Sequence, residues 1–208
     1  MTDTRQSTWF DAAALDNAGQ YRLLNGSVVP RPIAWVTSGV APAPLNLAPF
    51  SAFTWVSTFP AMLGITVGRR GAGQKDTLRN IERDREYVVH IADDRMLPDL
   101  HASSEWLPSD ASEVDAIGLA TVPSTAVRVP RLATVPIAME CVYDRTIRFT
   151  PTSGDFVVGR VVGWHVANDV LVEGGRIDAE RLRPIGRLGG PRYTDLGTIT
   201  TLDPMPGG

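Results

Sequence analysis

Val29-Pro30-Arg31-Pro32-Ile33-Ala34-Trp35-Val36-Thr37-Ser38 is the stretch on which the fold turns. Ile33, Trp35 and Thr37 alternate with Ala34, Val36 and Ser38, the two-residue period of a β-strand. Residues 39–44 then read as a turn, and apolar runs within 46–53 and 62–67, bounded by proline and glycine, suit further strands with irregular connections. Strand patterning returns at 87–92, 135–143, 156–167 and 170–172, with Asn168-Asp169 as a tight turn between the last two. Helical signals are few. One is a short segment around 10–15; another is 76–83, where Leu78 and Ile81 share a face and Asp76 or Thr77 suits the start as a cap. Between 97 and 117, polar sequence with irregularly spaced apolar residues reads as short helices and loops over a barrel end. Many strands and few short helices predict a mainly β protein, an antiparallel barrel rather than a doubly wound sheet.

The chain has 208 residues, enough for one domain with a sizeable core. The expected organisation is an N-terminal arm over 1–20, the barrel domain over 21–196 and a glycine- and proline-rich tail over 197–208. With 20 basic against 23 acidic residues and a net charge of −3, no broad cationic surface is expected for nucleic acid or anionic lipid. The longest nearly uninterrupted apolar run, 59–67, is far below the roughly 20 residues of a membrane helix. The single cysteine, Cys141, cannot form an intramolecular disulfide, and no export signal opens the sequence, which points to the cytoplasm. Without such a signal the Asn25-Gly26-Ser27 sequon carries no meaning.

Several familiar chemistries lack their parts. There is no Gly-x-Ser-x-Gly elbow, and His90, His101 and His165 are too far apart for a local metal motif, so no metal is expected. Residues 68–75 come near a phosphate-binding P-loop, but Gln74 intrudes before Lys75, and Asp76 stands where serine or threonine is required. The same segment suits a phosphate in another way. Arg69, Arg70 and Lys75 bring positive charge to a helix start, where free backbone N–H groups and the Thr77 hydroxyl can hold the anion. The plain alternative is a solvated basic loop. By type alone, Asn46 and Ser51 are turn or capping residues and Thr37 a strand residue.

Read together, three blocks carry a resemblance: residues 29–37, then Asn46-Leu47-Ala48-Pro49-Phe50-Ser51-Ala52-Phe53, then Lys75-Asp76-Thr77-Leu78-Arg79-Asn80-Ile81. In order and spacing they resemble the flavin-reductase-like, FMN-binding split-barrel family. Gly159-Arg160-Val161-Val162 resembles that family's Gly-Glu-Val-Val strand, and residues 183–193 resemble the ending of one of its branches. The resemblance covers about 21–196. It implies a Greek-key-like antiparallel split barrel, a homodimer, and FMN at or near the subunit interface. It also implies that Thr37, Ser38, Asn46, Leu47, Ala48 and Ser51 line the isoalloxazine and ribityl chain, and that Lys75, Asp76 and Thr77, with Arg69, surround the phosphate. Asp76 repels phosphate by charge, so its expected role is a helix cap or the partner of a nearby cation.

The sequence departs from the family where short-chain reductases carry Gly-Asp-His, the histidine being implicated in nicotinamide binding. Here the stretch is Ser153-Gly154-Asp155-Phe156, and Arg160 replaces the glutamate. His165, further along the same run, is either a substitute near the flavin or a strand histidine with a satisfied hydrogen bond. The resemblance implies hydride transfer from NAD(P)H to flavin, and then to a small-molecule acceptor or a partner oxygenase. Two alternatives stand beside it: an FMN-dependent reductase with a donor other than nicotinamide, and a non-enzymatic flavin-binding or storage protein.

Overall fold

The structure, a computed structural model, describes residues 5–69, 73–150 and 154–203. Arg70 and Ser153 fall outside the described residues. After a single 3-10 turn at Ala12–Ala14 the chain forms helix α1 (Asn17–Ser27), β1 (Arg31–Pro32), β2 (Ala34–Ser38), β3 (Asn46–Phe50), β4 (Phe53–Thr58) and β5 (Ala61–Val67). Helix α2 (Asp76–Asp84) leads directly into β6 (Glu86–Ile91). Helices α3 (Leu97–Ala102) and α4 (Glu113–Ile117) and the short pair β7 (Thr121–Val122) and β8 (Arg131–Leu132) precede two long strands, β9 (Ile137–Arg148) and β10 (Asp155–Val166). A 3-10 turn at Asn168–Val170 stands where a tight turn was expected. The chain ends with β11 (Leu171–Val172), β12 (Arg176–Ile177), helix α5 (Ala179–Leu182), β13 (Gly186–Arg187) and β14 (Tyr193–Thr194).

Seven strands form one antiparallel sheet in the order β3-β2-β6-β9-β10-β5-β4. Its two edges, β3 and β4, are consecutive in sequence and joined only by Ser51 and Ala52. Three Cα steps reach at most about 11 Å, whereas a flat seven-stranded sheet separates its edges by about 29 Å. The sheet must therefore curl until the edges meet, and the result is a barrel split between β3 and β4. The interior is filled by Val36, Ile65, Val67, Val89 and Val157, with Leu78 and Ile81 of α2 packed against them. A second layer covers the outside of β2, where Trp35 and Leu47 pack on Leu100 of α3 and Val114 of α4. The expected alternation along β2 is thus real, although all five of its residues are buried.

Close approach explains Gly159. A Cβ there would overlap the hydroxyl of Tyr87, a fully buried interior side chain, and the β9–β10 ladder shifts register between Val158 and Gly159. Two expectations are corrected. The short helix around 10–15 is only a 3-10 turn, Ala12–Ala14, and the first regular helix, Asn17–Ser27, lies beyond it, where Asp16 caps it by accepting from Gly19 N at 2.7 Å. The N-cap of α2 is Lys75, with Asp76 inside the first turn; Asp76 instead pairs with Arg79, the cation-partner role also foreseen for it.

Candidate functional site

Helix α2 begins without a side-chain acceptor at its N-cap, because Lys75 cannot supply one. The first-turn N–H groups are positive dipole ends, and the Lys75 ammonium adds charge, held 5.8 Å from the centre of the Phe50 ring on β3. Asn46 Nδ2 donates to Thr77 Oγ1 at 2.9 Å, so the Thr77 hydroxyl hydrogen remains to be donated elsewhere. Ser38 is fully buried and its Oγ has no partner among the described residues; its carbonyl accepts from Asn80 Nδ2 at 3.4 Å. A cleft of about 90 Å³ runs along one flank of α2, lined by Asn46, Asp76, Arg79, Asn80 and Glu113 but not by Lys75, Thr77 or Ser38. Burial lifts the Glu113 carboxyl above its ordinary range, partly opposed by the Leu47 N–H that donates to it. The two carboxylates in its lining, Asp76 and Glu113, disfavour a phosphate inside that cleft.

Ladder register divides the other expected contacts between two faces. Ser38 stands opposite Asn46, and Val36 opposite Ala48, so these four share the interior face. Thr37 stands opposite Leu47 on the outer face, where the Thr37 hydroxyl donates to Pro130 O at 2.9 Å and Leu47 is buried under α4. The structure therefore brings Ser38, Asn46, Ala48, Lys75 and Thr77 together and leaves the side chains of Thr37 and Leu47 on the far side of the sheet. Ser51 sits at the split and accepts from Arg31 Nε at 3.4 Å. Arg69 is held by the fully buried Asp155 at 3.1 Å, at the other end of β5 and β10; Arg148 approaches the same oxygen at 3.6 Å.

A large groove was not foreseen from the sequence. It measures about 590 Å³ and is lined by Phe53, Trp55, Leu63, Met139, Val161 and Trp164 among others, within the range of small-molecule sites. Trp55 and Trp164 are exposed along it, and Phe59 at the β4–β5 tip is 97% exposed. The available signal was the aromatic spacing in Phe53-Thr54-Trp55, three consecutive residues that all line the groove.

His165 lies opposite Ala138, and its neighbour Trp164 opposite Met139, so His165 faces away from the groove. Its Nε2 is 2.5 Å from Oε1 of Glu140, a fully buried carboxylate. Glu140 also accepts from the backbone N–H of Thr125, Ala126 and Val127. Burial raises its pKa, but the Thr125, His165 and Ala126 bonds outweigh that and hold it below the ordinary carboxylate range. The satisfied-histidine reading is the one the geometry matches. Phe156 packs on Gly64 and shares its face with Val158 and Thr66, away from Leu63 and Val157 of the interior. The ring standing in place of the family histidine is thus outside this chain's groove. Burial pushes the Cys141 thiol far above its ordinary range, which removes it as a nucleophile. No cluster of metal ligands occurs among the described residues, and no described helix is long and apolar enough to cross a membrane.

Comparison with known proteins adds the following. The flavin reductase like domain model matches residues 26–179. An uncharacterized protein of Halalkalibacterium halodurans is 42% identical over 195 residues, covering 91% of this chain and 93% of its own. The crystal structure of nitrilotriacetate monooxygenase component B from Bacillus cereus superposes with a TM-score of 0.91 at 35% identity, covering 96% of this chain and all of that one. The 2-nitrobenzoate 2-nitroreductase of Pseudomonas fluorescens gives a TM-score of 0.87 at 33% identity, over 96% and 98% of the two chains.

Proposed function

The chain belongs to the flavin reductase-like domain family, and from that premise we propose that it binds FMN and works as a flavin oxidoreductase, with NAD(P)H as hydride donor. The observation that carries the reading is the start of α2. An uncapped helix N-terminus, the Lys75 ammonium and the Thr77 hydroxyl hydrogen are grouped there. The orphaned Ser38 hydroxyl on the same face fits a ligand rich in hydrogen-bonding groups. Arg69, already paired with Asp155, adds to the field at longer range.

FMN supplies the redox chemistry when bound, accepting a hydride and releasing electrons. What this chain adds is binding, orientation and exclusion of water. Lys75 and the α2 N–H groups fix the phosphate, and Phe53, Leu63 and Val161 offer apolar cover to the ring system. Ser51, whose Oγ accepts from Arg31, is left with its hydrogen to donate to a flavin carbonyl or ring nitrogen. A second copy of the chain fits the exposed Trp55, Phe59 and Trp164 and would close the groove, which supports a homodimer with the flavin at its interface. The Bacillus relative is a monooxygenase component and the Pseudomonas relative a nitroreductase, so both a partner oxygenase and a small-molecule acceptor are represented among the destinations of the electrons. The storage alternative drew on the missing histidine; the oxidoreductase reading is preferred because both of these relatives are redox proteins by name.

The absorbance spectrum of the purified protein tests the cofactor, with flavin bands near one per chain expected. Stopped-flow bleaching of those bands by NADH and NADPH tests the donor. A colourless protein that takes up no FMN refutes the reading. A flavoprotein that neither nucleotide bleaches confines the proposal to FMN binding.

A further inference from the structure

Arg31 commits all five of its N–H donors to five neutral acceptors from three parts of the chain. Around the end of α1, Nη1 donates to Asn25 O at 2.9 Å and Val28 O at 2.6 Å, and Nη2 to Asn25 Oδ1 at 2.5 Å. Nη2 also donates to the Leu188 carbonyl between β13 and β14, and Nε to Ser51 Oγ at 3.4 Å. No carboxylate among the described residues forms an ion pair with it. Asp195 lines the same cavity of about 270 Å³ but accepts from Gly197 N, at 2.9 Å. Arg187, directly opposite Arg31 in the β1–β13 ladder, adds positive charge instead of offsetting it. The donors of Arg31 are therefore satisfied while its charge is left unneutralised.

Ser51 is where that charge meets the candidate flavin site. With Ala52 it forms the whole connection between the two edge strands of the barrel, and both sides of that connection are fixed. Phe50 stands opposite Ala34 in the β2–β3 ladder, and Ala52 O accepts from Thr66 N at 2.8 Å. A serine hydroxyl has one hydrogen and two lone pairs. Because Arg31 Nε occupies a lone pair, the hydrogen cannot be given to Arg31, and it finds no acceptor among the described residues. A hydroxyl whose oxygen is bonded to a cation is polarised into a stronger donor. We propose that Arg31 is a positioning residue for flavin reduction: it leaves the Ser51 hydrogen to be donated to the ring and sets an unneutralised charge behind it, raising the reduction potential of bound FMN. The inference rests on the reading that Ser51 meets the flavin ring. Reduction adds negative charge to that ring, so a fixed donor backed by a cation favours the reduced form over the oxidised one.

Reductive titration of the FMN-loaded protein against a reference dye reads the balance between oxidised and reduced flavin without turnover. Arg31→Gln removes the charge and should lower the preference for reduced FMN about tenfold, a fall of about 30 mV for the two-electron couple. Arg31→Lys keeps the charge and should hold the preference within about threefold of wild type. Both variants lose the guanidinium fork that ties α1 to Leu188, so thermal melting should show similar losses of stability. A difference in potential between them cannot then come from that tie. Ser51→Ala, which leaves the tie in place, should lower the preference by about threefold or more. Equal potentials in Arg31→Gln and wild type, equal shifts in the Gln and Lys variants, or an unchanged potential in Ser51→Ala each overturn the proposal. Should Arg31→Gln not fold, Ser51→Ala decides alone. FMN content separates this inference from the reading beneath it. A wild type that takes up no FMN refutes the proposed function and the inference with it, whereas bound FMN whose potential ignores both Arg31 and Ser51 refutes the inference only.

Discussion

His90 is the penultimate residue of β6, with no solvent exposure, against the strand that carries Thr37 and Ser38. Leu132 N approaches its Nε2 at 3.1 Å and can only donate, so Nε2 is the acceptor; the ring proton is then on Nδ1, which donates to Trp35 O at 2.8 Å. The ring is neutral. Burial, aided by repulsion from Arg131 and opposed by the Trp35 bond, lowers its pKa from 6.5 to about 4. In the unfolded chain the ordinary value returns. From pH 6.5 down to 4 the unfolded chain therefore takes up a proton that the folded chain refuses, and stability falls as pH falls. The contribution is complete above pH 6.5. Integrated over the shift, it reaches about 3 kcal/mol in the limit, of which about 2 kcal/mol is lost between pH 7 and pH 5. Urea unfolding at pH 7, 6 and 5 measures this, with His90→Asn as the non-titrating reference that shares every carboxylate with wild type. The variant is expected to start less stable and to lose about 2 kcal/mol less over that interval. Parallel pH profiles for the two proteins would refute the buried neutral imidazole.

Lys75→Ala should weaken FMN by about 1–3 kcal/mol and leave riboflavin nearly unchanged, since only the phosphate meets the ammonium; equal losses in fluorescence titrations with the two ligands would place the phosphate elsewhere. Glu140→Ala removes the acceptor of three backbone N–H groups and of His165, at a cost of at least about 3 kcal/mol. Hydrogen exchange should then rise first at Thr125, Ala126 and Val127, and unchanged protection there would contradict the anchoring role. Sedimentation should show a dimer that Trp55→Ser with Phe59→Ser dissociates; a wild-type monomer that still holds FMN at nanomolar concentration would rule out the shared pocket.

Strand patterning and the three sequence blocks were enough for the fold and the family, because buried strands and a helix running directly into β6 leave strong local signals. Helix α1 was missed for a physical reason. It contains Gly19, Asn25 and Gly26, all poor helix formers, and its end is held by Arg31 bonding to the carbonyls of Asn25 and Val28, a tertiary contact that no local window contains. Strand β4 was missed because only Phe53 of it falls in the apolar run 46–53 and its other residues are mostly exposed, so no buried face marks it in the sequence. The break at Ser51 and Ala52 comes from the curling of the whole sheet, and that is a property of seven strands together.

The candidate site shows the same division more sharply. Neighbouring residues of a strand point to opposite faces, so Thr37 with Ser38, and Asn46 with Leu47, cannot all offer side chains to one ligand. Sequence alone could not resolve which member of each pair faces inward, because β2 is buried on both sides and its alternation carries no polar face to read. Register resolves it. Ser38, Asn46 and Ala48 share the interior face, while Thr37 is tied to Pro130 on the other side. The 124–130 segment, anchored by Glu140 at one end and meeting Thr37 at the other, therefore reaches the ligand face only through the backbone of β2. For that reason Thr37→Val should alter stability through its lost bond to Pro130 and leave FMN affinity within about 0.5 kcal/mol, whereas Thr77→Val, which removes a hydroxyl hydrogen at the start of α2, should weaken FMN by about 1 kcal/mol or more. The reverse order of effects in paired titrations would mean that the ligand lies on the outer face of β2, and the assignment of the interior face would have to be abandoned.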